Sequence, residues 1–218
     1  MKIVNCFLFV SVLFFQLGCK NSTSSQAPSN GVQDIFPLVT GDHWVYQLTQ
    51  YSTDGSIKSN GPYDVLLRST QSFNGIPAFE YSIQGDTSKN SLIYFVGSSD
   101  LYTERNSTVI YHALHYPMNV GDAYTITDTT YAGGFINKDF LVLQNNSESI
   151  TVPAGTFNCL HFDRISIAGT VANPDTNSVK KQYYALNKGL IKESDLAYDI
   201  NKKQYQIALL QLVSYELK

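Results

Sequence analysis

Phe36-Pro37-Leu38-Val39-Thr40-Gly41-Asp42-His43-Trp44-Val45-Tyr46 is echoed eighty positions later by Tyr116-Pro117-Met118-Asn119-Val120-Gly121-Asp122-Ala123-Tyr124-Thr125-Ile126. Both copies read aromatic, proline, aliphatic, two variable residues, Gly-Asp, one variable residue, aromatic. Proline fixes its own φ and biases the preceding residue toward extended geometry. Gly-Asp is a turn signal. From His43 the side chains alternate, with Trp44, Tyr46 and Leu48 on one face and His43, Val45, Gln47 and Thr49 on the other. That is the period of a half-buried strand. Each copy therefore reads as a lead-in that delivers the chain into a strand, with Trp44 and Tyr124 expected to be buried in equivalent positions.

Working outward, Asp54-Gly55 ends the first strand as a hairpin turn. Residues 63–73 and 76–84 flank Asn74-Gly75, the clearest hairpin in the chain. Shorter apolar runs at 92–96 and 101–104 surround Gly97-Ser98-Ser99. After the second lead-in, strands are expected at 123–130, 135–144, 149–152, 157–168, 179–186, 189–194 and 205–217, with Pro153-Ala154-Gly155 as a turn. Residues 109–115 fit a strand or a single helical turn, because periodicity cannot arbitrate over so short a run. No segment sustains a period near 3.6. The fold class is all-β, an antiparallel sandwich or partly open barrel.

The echo extends beyond the lead-in. Tyr94-Phe95-Val96 precedes Asp100-Leu101-Tyr102, and Tyr183-Tyr184-Ala185 precedes Gly189-Leu190-Ile191. Between them, Ser82-Ile83-Gln84-Gly85 parallels Ser166-Ile167-Ala168-Gly169. The offset grows from 80 to 89, which an insertion near 147–155 explains. The reading is two pseudo-repeated halves, 36–115 and 116–218, within a single β-rich domain at 32–218. Its rival is that proline, glycine and aromatics recur in any β-protein.

Composition agrees with a globular sheet protein. Of 218 residues 43% are hydrophobic and 15% charged, with a formal charge of −3. The 15 Tyr and 12 Phe favour sheet over helix. No basic excess is available to hold nucleic acid. Cys6 and Cys19 lie near the N-terminus, leaving Cys159 alone in the folded part, so no disulfide framework exists. Flanked by Leu160, Cys159 reads as a small core hydrophobe rather than a nucleophile.

The first residues read as an address. Lys2 precedes a nearly continuous apolar run over residues 3–15, too short to span a membrane core of about 30 Å, but of the length of a secretory signal's hydrophobic region. The run ends in Gln16-Leu17-Gly18-Cys19-Lys20, which resembles the lipobox of bacterial lipoproteins. The resemblance implies a signal peptide at 1–18 and lipidation (palmitate and diacylglycerol) at Cys19. Gln16 stands where that motif carries an aliphatic residue. Cleavage near Gly18 without lipidation, or an uncleaved anchor, are the alternatives. Residues 19–31 are Ser-, Asn- and Thr-rich and read as a flexible tether. Lys20 after the cysteine is compatible, by resemblance to enterobacterial lipoproteins, with the outer membrane.

Together with Val152-Pro153-Ala154-Gly155-Thr156-Phe157 and Gly189-Leu190-Ile191-Lys192, these motifs resemble a loose group of uncharacterised all-β bacterial lipoproteins. The resemblance implies location and fold, and no particular activity.

Motifs for chemistry are sparse. No nucleophile elbow, phosphate-cradling loop or dinucleotide fingerprint appears. His112 and His115, with Tyr111, would share a face on a helix, but in a regular strand they would point apart. No metal site and no cofactor are therefore expected. His161 alternates with Leu160 and Phe162 and is expected on a solvent face. Distant carboxylates such as Glu80 and Asp163 could be paired by the fold, though nothing selects them. The expected role is a lipid-anchored envelope protein, a non-enzymatic binding or structural module whose partner is an envelope protein, a glycan or a hydrophobic ligand. Two rivals stand beside it: a lipid carrier, which needs an apolar cavity, and an envelope hydrolase, which needs a cleft holding two or more carboxylates, or a carboxylate with His43 or His161. The carrier fails if Trp44, Tyr46, Leu66, Phe79, Tyr124, Phe140 and Phe162 fill the interior.

Overall fold

The structure is a computed structural model describing residues 31–83, 86–105, 109–199, 201 and 203–218, with the backbone alone at 86–90, 105 and 109–111. The segment 1–18, Cys19 and the tether as far as residue 30 lie outside the described residues. Turn chemistry sets the strand boundaries. Asn74 and Gly75 both take positive φ, 51° and 79°, which a two-residue hairpin requires. They join β2 (Ile57–Phe73) to β3 (Ile76–Ile83). Before them β1 (His43–Tyr51) turns at Asp54-Gly55, where Asp54 Oδ1 accepts from the Ser56 amide and hydroxyl.

The first half continues with β4 (Asp86–Val96), β5 (Asp100–Arg105) and β6 (Val109–His115). The second contains β7 (Ala123–Thr130), β8 (Phe135–Val152) and β9 (Gly155–Thr170). It ends with β10 (Asn173–Ala185), β11 (Gly189–Tyr198) and β12 (Gln204–Glu216). Among the described residues these twelve strands form one antiparallel sheet in the order β6-β5-β4-β3-β2-β1-β12-β11-β10-β9-β8-β7. Each half is a meander, and the two join where β1 pairs with β12. The sheet curls into a nearly closed barrel, with almost no helix among the described residues beyond a single turn at Val32–Asp34.

The two lead-ins make the same hydrogen bonds. Gly41 N donates to Leu67 O and Leu67 N to Asp42 O; Gly121 N donates to Leu143 O and Leu143 N to Asp122 O. In each, the aspartate carboxylate also takes the amide three residues back, Val39 in one and Asn119 in the other. The glycines need their positive φ of 96° and 91° to make the turn. The growing sequence offset has a structural counterpart: β9 has 16 residues against eight in β3.

One end of the barrel is stoppered by the chain leading into the first copy. Val32 N bonds Ser98 O in the β4–β5 turn, while Ile35 O accepts from Gly189 N in the β10–β11 turn. Val32 and Ile35 are fully buried. Gly189 has φ 82°, and a Cβ there would lie 2.7 Å from the Phe36 ring, so only glycine fits.

The core departs from the expected set. Trp44, Tyr46 and Phe162 point inward and are buried, and Phe79 packs against them. Leu66 does not; it is 37% exposed, because Tyr63 and Val65 sit opposite Tyr46 and Trp44 and fix the strand's phase. Leu67 takes the inward place. Phe140, one position from inward Leu141, faces out, opposite Thr125 and Ile165. Residues 135–152 run as one strand rather than two, with irregular pairing between Leu143 and Glu148.

Candidate functional site

The barrel interior is not filled. Its inward side chains leave a cavity of about 560 Å³, well within the range of roughly 300–1,000 Å³ typical of small-molecule sites. The first half supplies an apolar wall from Leu48, Tyr63, Val65, Leu67, Tyr81 and Ile93, joined by Trp44 and Tyr46. The aromatic polar tips are already satisfied: Trp44 Nε1 donates to Lys188 O at 2.7 Å and Tyr46 Oη to Leu190 O at 3.0 Å. Burial pushes the Tyr46 and Tyr184 hydroxyls up, so both stay neutral.

The second half is mixed: Tyr184, Leu190, Ala208 and Leu210 line the cavity beside a polar patch of Arg164, Lys180, Gln182 and Glu193. Lys180 Nζ lies 3.3 Å from Glu193 Oε1 and 3.4 Å from Asp195 Oδ2. Burial alone would lower the Lys180 pKa, but those carboxylates outweigh it and raise it. Gln182 Nε2 donates to Glu193 Oε2 at 2.8 Å, leaving Gln182 Oε1 buried without a hydrogen-bond partner. Arg164 Nη2 donates to the backbone oxygen of His112, while its Nε is buried and unpartnered. Among the described residues Arg164 has no carboxylate partner. In the ion group one cation, Lys180, faces two carboxylates, whereas the Arg164 guanidinium meets none of them directly.

The sheet's ends bring the histidines together. In the β5–β6 ladder Leu101 faces Leu114 and Tyr102 faces His112, so Ala113 is an extra, bulged residue. The bulge shifts the strand's phase by one. His112 and His115 therefore share a face, and His115 lies directly opposite Asp100. This corrects the expectation that a strand would separate them; Asp100 joins the group, and the Tyr111 side chain lies outside the described residues. Asp100 Oδ1 is 2.8 Å from His112 Nε2 and 2.7 Å from His115 Nδ1. Tyr102 stacks on His112 at 4.6 Å and Tyr124 on His115 at 3.8 Å, both near parallel. Tyr124 projects from the inner face of β7, opposite Leu141, whereas the histidines project from the outer face of β6. The two ends of the sheet thus overlap instead of joining edge to edge. Tyr124 is half-buried in this overlap, less enclosed than its counterpart Trp44.

His161 lies on the outer face, as expected, but is not free. Its Nδ1 is 2.8 Å from Glu148 Oε2 and its Nε2 3.1 Å from Asp163 Oδ1, and its ring leans on Tyr183 at 4.4 Å. Burial would lower its pKa, but the two carboxylate hydrogen bonds and charges outweigh this and raise it. Each nitrogen is held by a carboxylate, so the ring is fixed between two side chains of its own sheet. Burial pushes the neighbouring Cys159 thiol up to about 12, and its Sγ points at Phe157 O. It is a core residue and not an activated nucleophile.

The remaining candidates scatter. Glu80 accepts from Ser69 Oγ and pairs with Arg68, six strands from Asp163 in sheet order, so the two do not form a catalytic pair. His43 lies opposite Glu216 at the start of β1. The Ser98 and Ser99 backbone oxygens serve the turn, accepting from Val32 N and Tyr116 N. Sequence reasoning missed Asp100, Arg164, Lys180, Gln182 and Glu193. The available signal was the strict alternation of Phe162, Arg164 and Ser166, which puts a guanidinium in phase with a core phenylalanine.

No protein-family model matches the chain, and no curated protein matches it. Among solved structures, a protein described as exported, with a YmcC-like fold, from Bacteroides fragilis superposes with a TM-score of 0.46 at 12% identity, covering 82% of this chain and 97% of that one. A protein described as a lipoprotein, from Parabacteroides distasonis, gives a TM-score of 0.46 at 18% identity, covering 84% and 98%.

Proposed function

We propose that the chain is a lipid-anchored envelope protein, tethered through Cys19, whose barrel binds a small amphiphile with an anionic head. The observation that carries the binding role is the cavity of about 560 Å³, with its apolar wall and polar patch. An apolar wall rewards burial of a hydrocarbon chain at roughly 25 cal/mol per Å². Arg164, half-buried with its Nε enclosed and no carboxylate partner among the described residues, favours a carboxylate or phosphate at the polar patch. The lipobox-like Gln16-Leu17-Gly18-Cys19 supports the anchor, and Lys20 an outer-membrane destination. The hydrolase alternative has less support, since His161 is held between two carboxylates, Cys159 stays protonated, and Glu193 and Asp195 are engaged by Lys180 and Gln182.

Calorimetric titration of the purified chain with dodecanoate tests the binding role. One saturable site is expected in the wild type, with loss of that site in Val65→Trp, which fills the cavity. Equal binding by the variant would move the ligand out of the barrel and sink the reading. For the anchor, Cys19→Ala is expected to abolish acyl labelling and membrane fractionation; unchanged attachment would overturn it.

A further inference from the structure

Where β6 overlaps β7, three donor atoms lie close together. Asp100 Oδ1, His112 Nε2 and His115 Nδ1 all lie within 4.8 Å of one another. We propose that Asp100, His112 and His115 bind a divalent transition-metal ion, with Zn²⁺ suited to two imidazoles and one carboxylate.

Three features support this beyond proximity. First, the arrangement requires an irregularity. Without the bulged Ala113, His112 and His115 would lie on opposite faces, and only their alignment brings both to Asp100. Second, the hydrogen-bond account is incomplete. Asp100 Oδ1 makes a hydrogen bond to His115 Nδ1 at 2.7 Å. His112 Nε2 lies 2.8 Å from the same oxygen but off the line that a hydrogen bond needs, and is buried with no hydrogen-bond partner. A nitrogen and an oxygen held this way suit a shared cation better than a shared proton. Third, the donors are preorganised. Tyr102 and Tyr124 clamp the two imidazoles by parallel stacking, with the two imidazole planes 78° apart.

The dimensions fit after a small opening. Zinc bonds of about 2.0–2.1 Å place tetrahedral ligands roughly 3.4 Å apart, against 2.7 and 2.8 Å from Asp100 Oδ1 here. β6 is an edge strand of the sheet, so it can give by that amount. Three protein ligands leave a coordination position for water or another ligand. His161 offers the contrast: its two carboxylates sit on opposite edges of a single ring, so its donors diverge.

The test uses the whole chain stripped with a chelator, then titrated with Zn²⁺ by calorimetry, with Co²⁺ absorption as a second readout. The expected result is one ion per chain. His115→Gln and Asp100→Asn should weaken binding at least tenfold and remove the visible Co²⁺ bands, while His161→Gln binds as the wild type does. Zinc K-edge X-ray absorption of the wild type, which needs no folded variant, should show two imidazoles and oxygen with no sulfur. Absence of binding, equal binding by His115→Gln, or fewer than two imidazoles at the metal would overturn the proposal.

Discussion

The two halves of the barrel share a scaffold and differ in what they present. Each is a six-strand meander opened by the same Gly-Asp lead-in with the same pair of backbone hydrogen bonds. Yet β1–β4 turn an apolar wall to the cavity, while β9–β11 turn Arg164, Lys180, Gln182 and Glu193 to it. Their histidines differ likewise. The first half gathers two rings on one carboxylate oxygen; the second places one ring between two carboxylates. The lesson is that backbone hydrogen bonding specifies the sheet, so inward positions are free to carry different chemistry as long as each polar group has a partner or a ligand.

Shared scaffolding is tested hardest at Leu67 and Leu143, which occupy the same place beyond the two lead-ins and are almost fully buried. Truncating either to alanine should cost about 2–5 kcal/mol by urea unfolding. A loss at one and none at the other would break the equivalence. A finer test compares Asp42 with Asp122. Asp42 is fully buried and its Oδ1 also accepts from Lys218 N, tying β12 to the turn. Asp122 is exposed, and among the described residues its carboxylate bonds only Asn119 in its own turn. Asp42→Ala should cost about 1–3 kcal/mol and Asp122→Ala about 1 kcal/mol or less. Equal costs would mean that burial does not separate the two turns.

Differences of chemistry come next. Arg164→Met should weaken binding of a long-chain carboxylate about tenfold, or about 1.4 kcal/mol, by calorimetry. An unchanged affinity would remove the polar patch from the account. The smallest effect is the pH dependence of His161. Its folded pKa is raised, so it stabilises the fold fully below the unfolded value near 6.5. That contribution is lost as pH rises through the higher folded pKa. The melting-temperature gap between wild type and His161→Gln should therefore shrink from pH 6 to pH 8; a gap that widens would contradict the clamp.

Much of the scaffold was legible in the sequence and the site was not, for physical reasons. Asn74-Gly75 and the two Gly-Asp turns carry local chemistry that names a turn without help from the rest of the chain. Alternation placed Trp44, Tyr46 and Leu48 on the inner face. The same rule failed at Leu66, where a run of three aliphatics hides the phase that Tyr63 and Val65 set. It failed again at Ala113, because a bulge shifts the period without a sequence signature and so concealed the meeting of His112 and His115. The polar patch was missed because polar-out reasoning assumes a filled core, whereas here inward charges line a space.

The central claim is that this space receives an anionic amphiphile, and Trp44 reports on it directly. It is the sole tryptophan of the chain and lines the cavity. Fluorescence titration with a long-chain carboxylate, against the alcohol of equal length, should give a saturable change in Trp44 emission, with the carboxylate about tenfold tighter. No saturable change with either, or identical curves for both, would contradict the account.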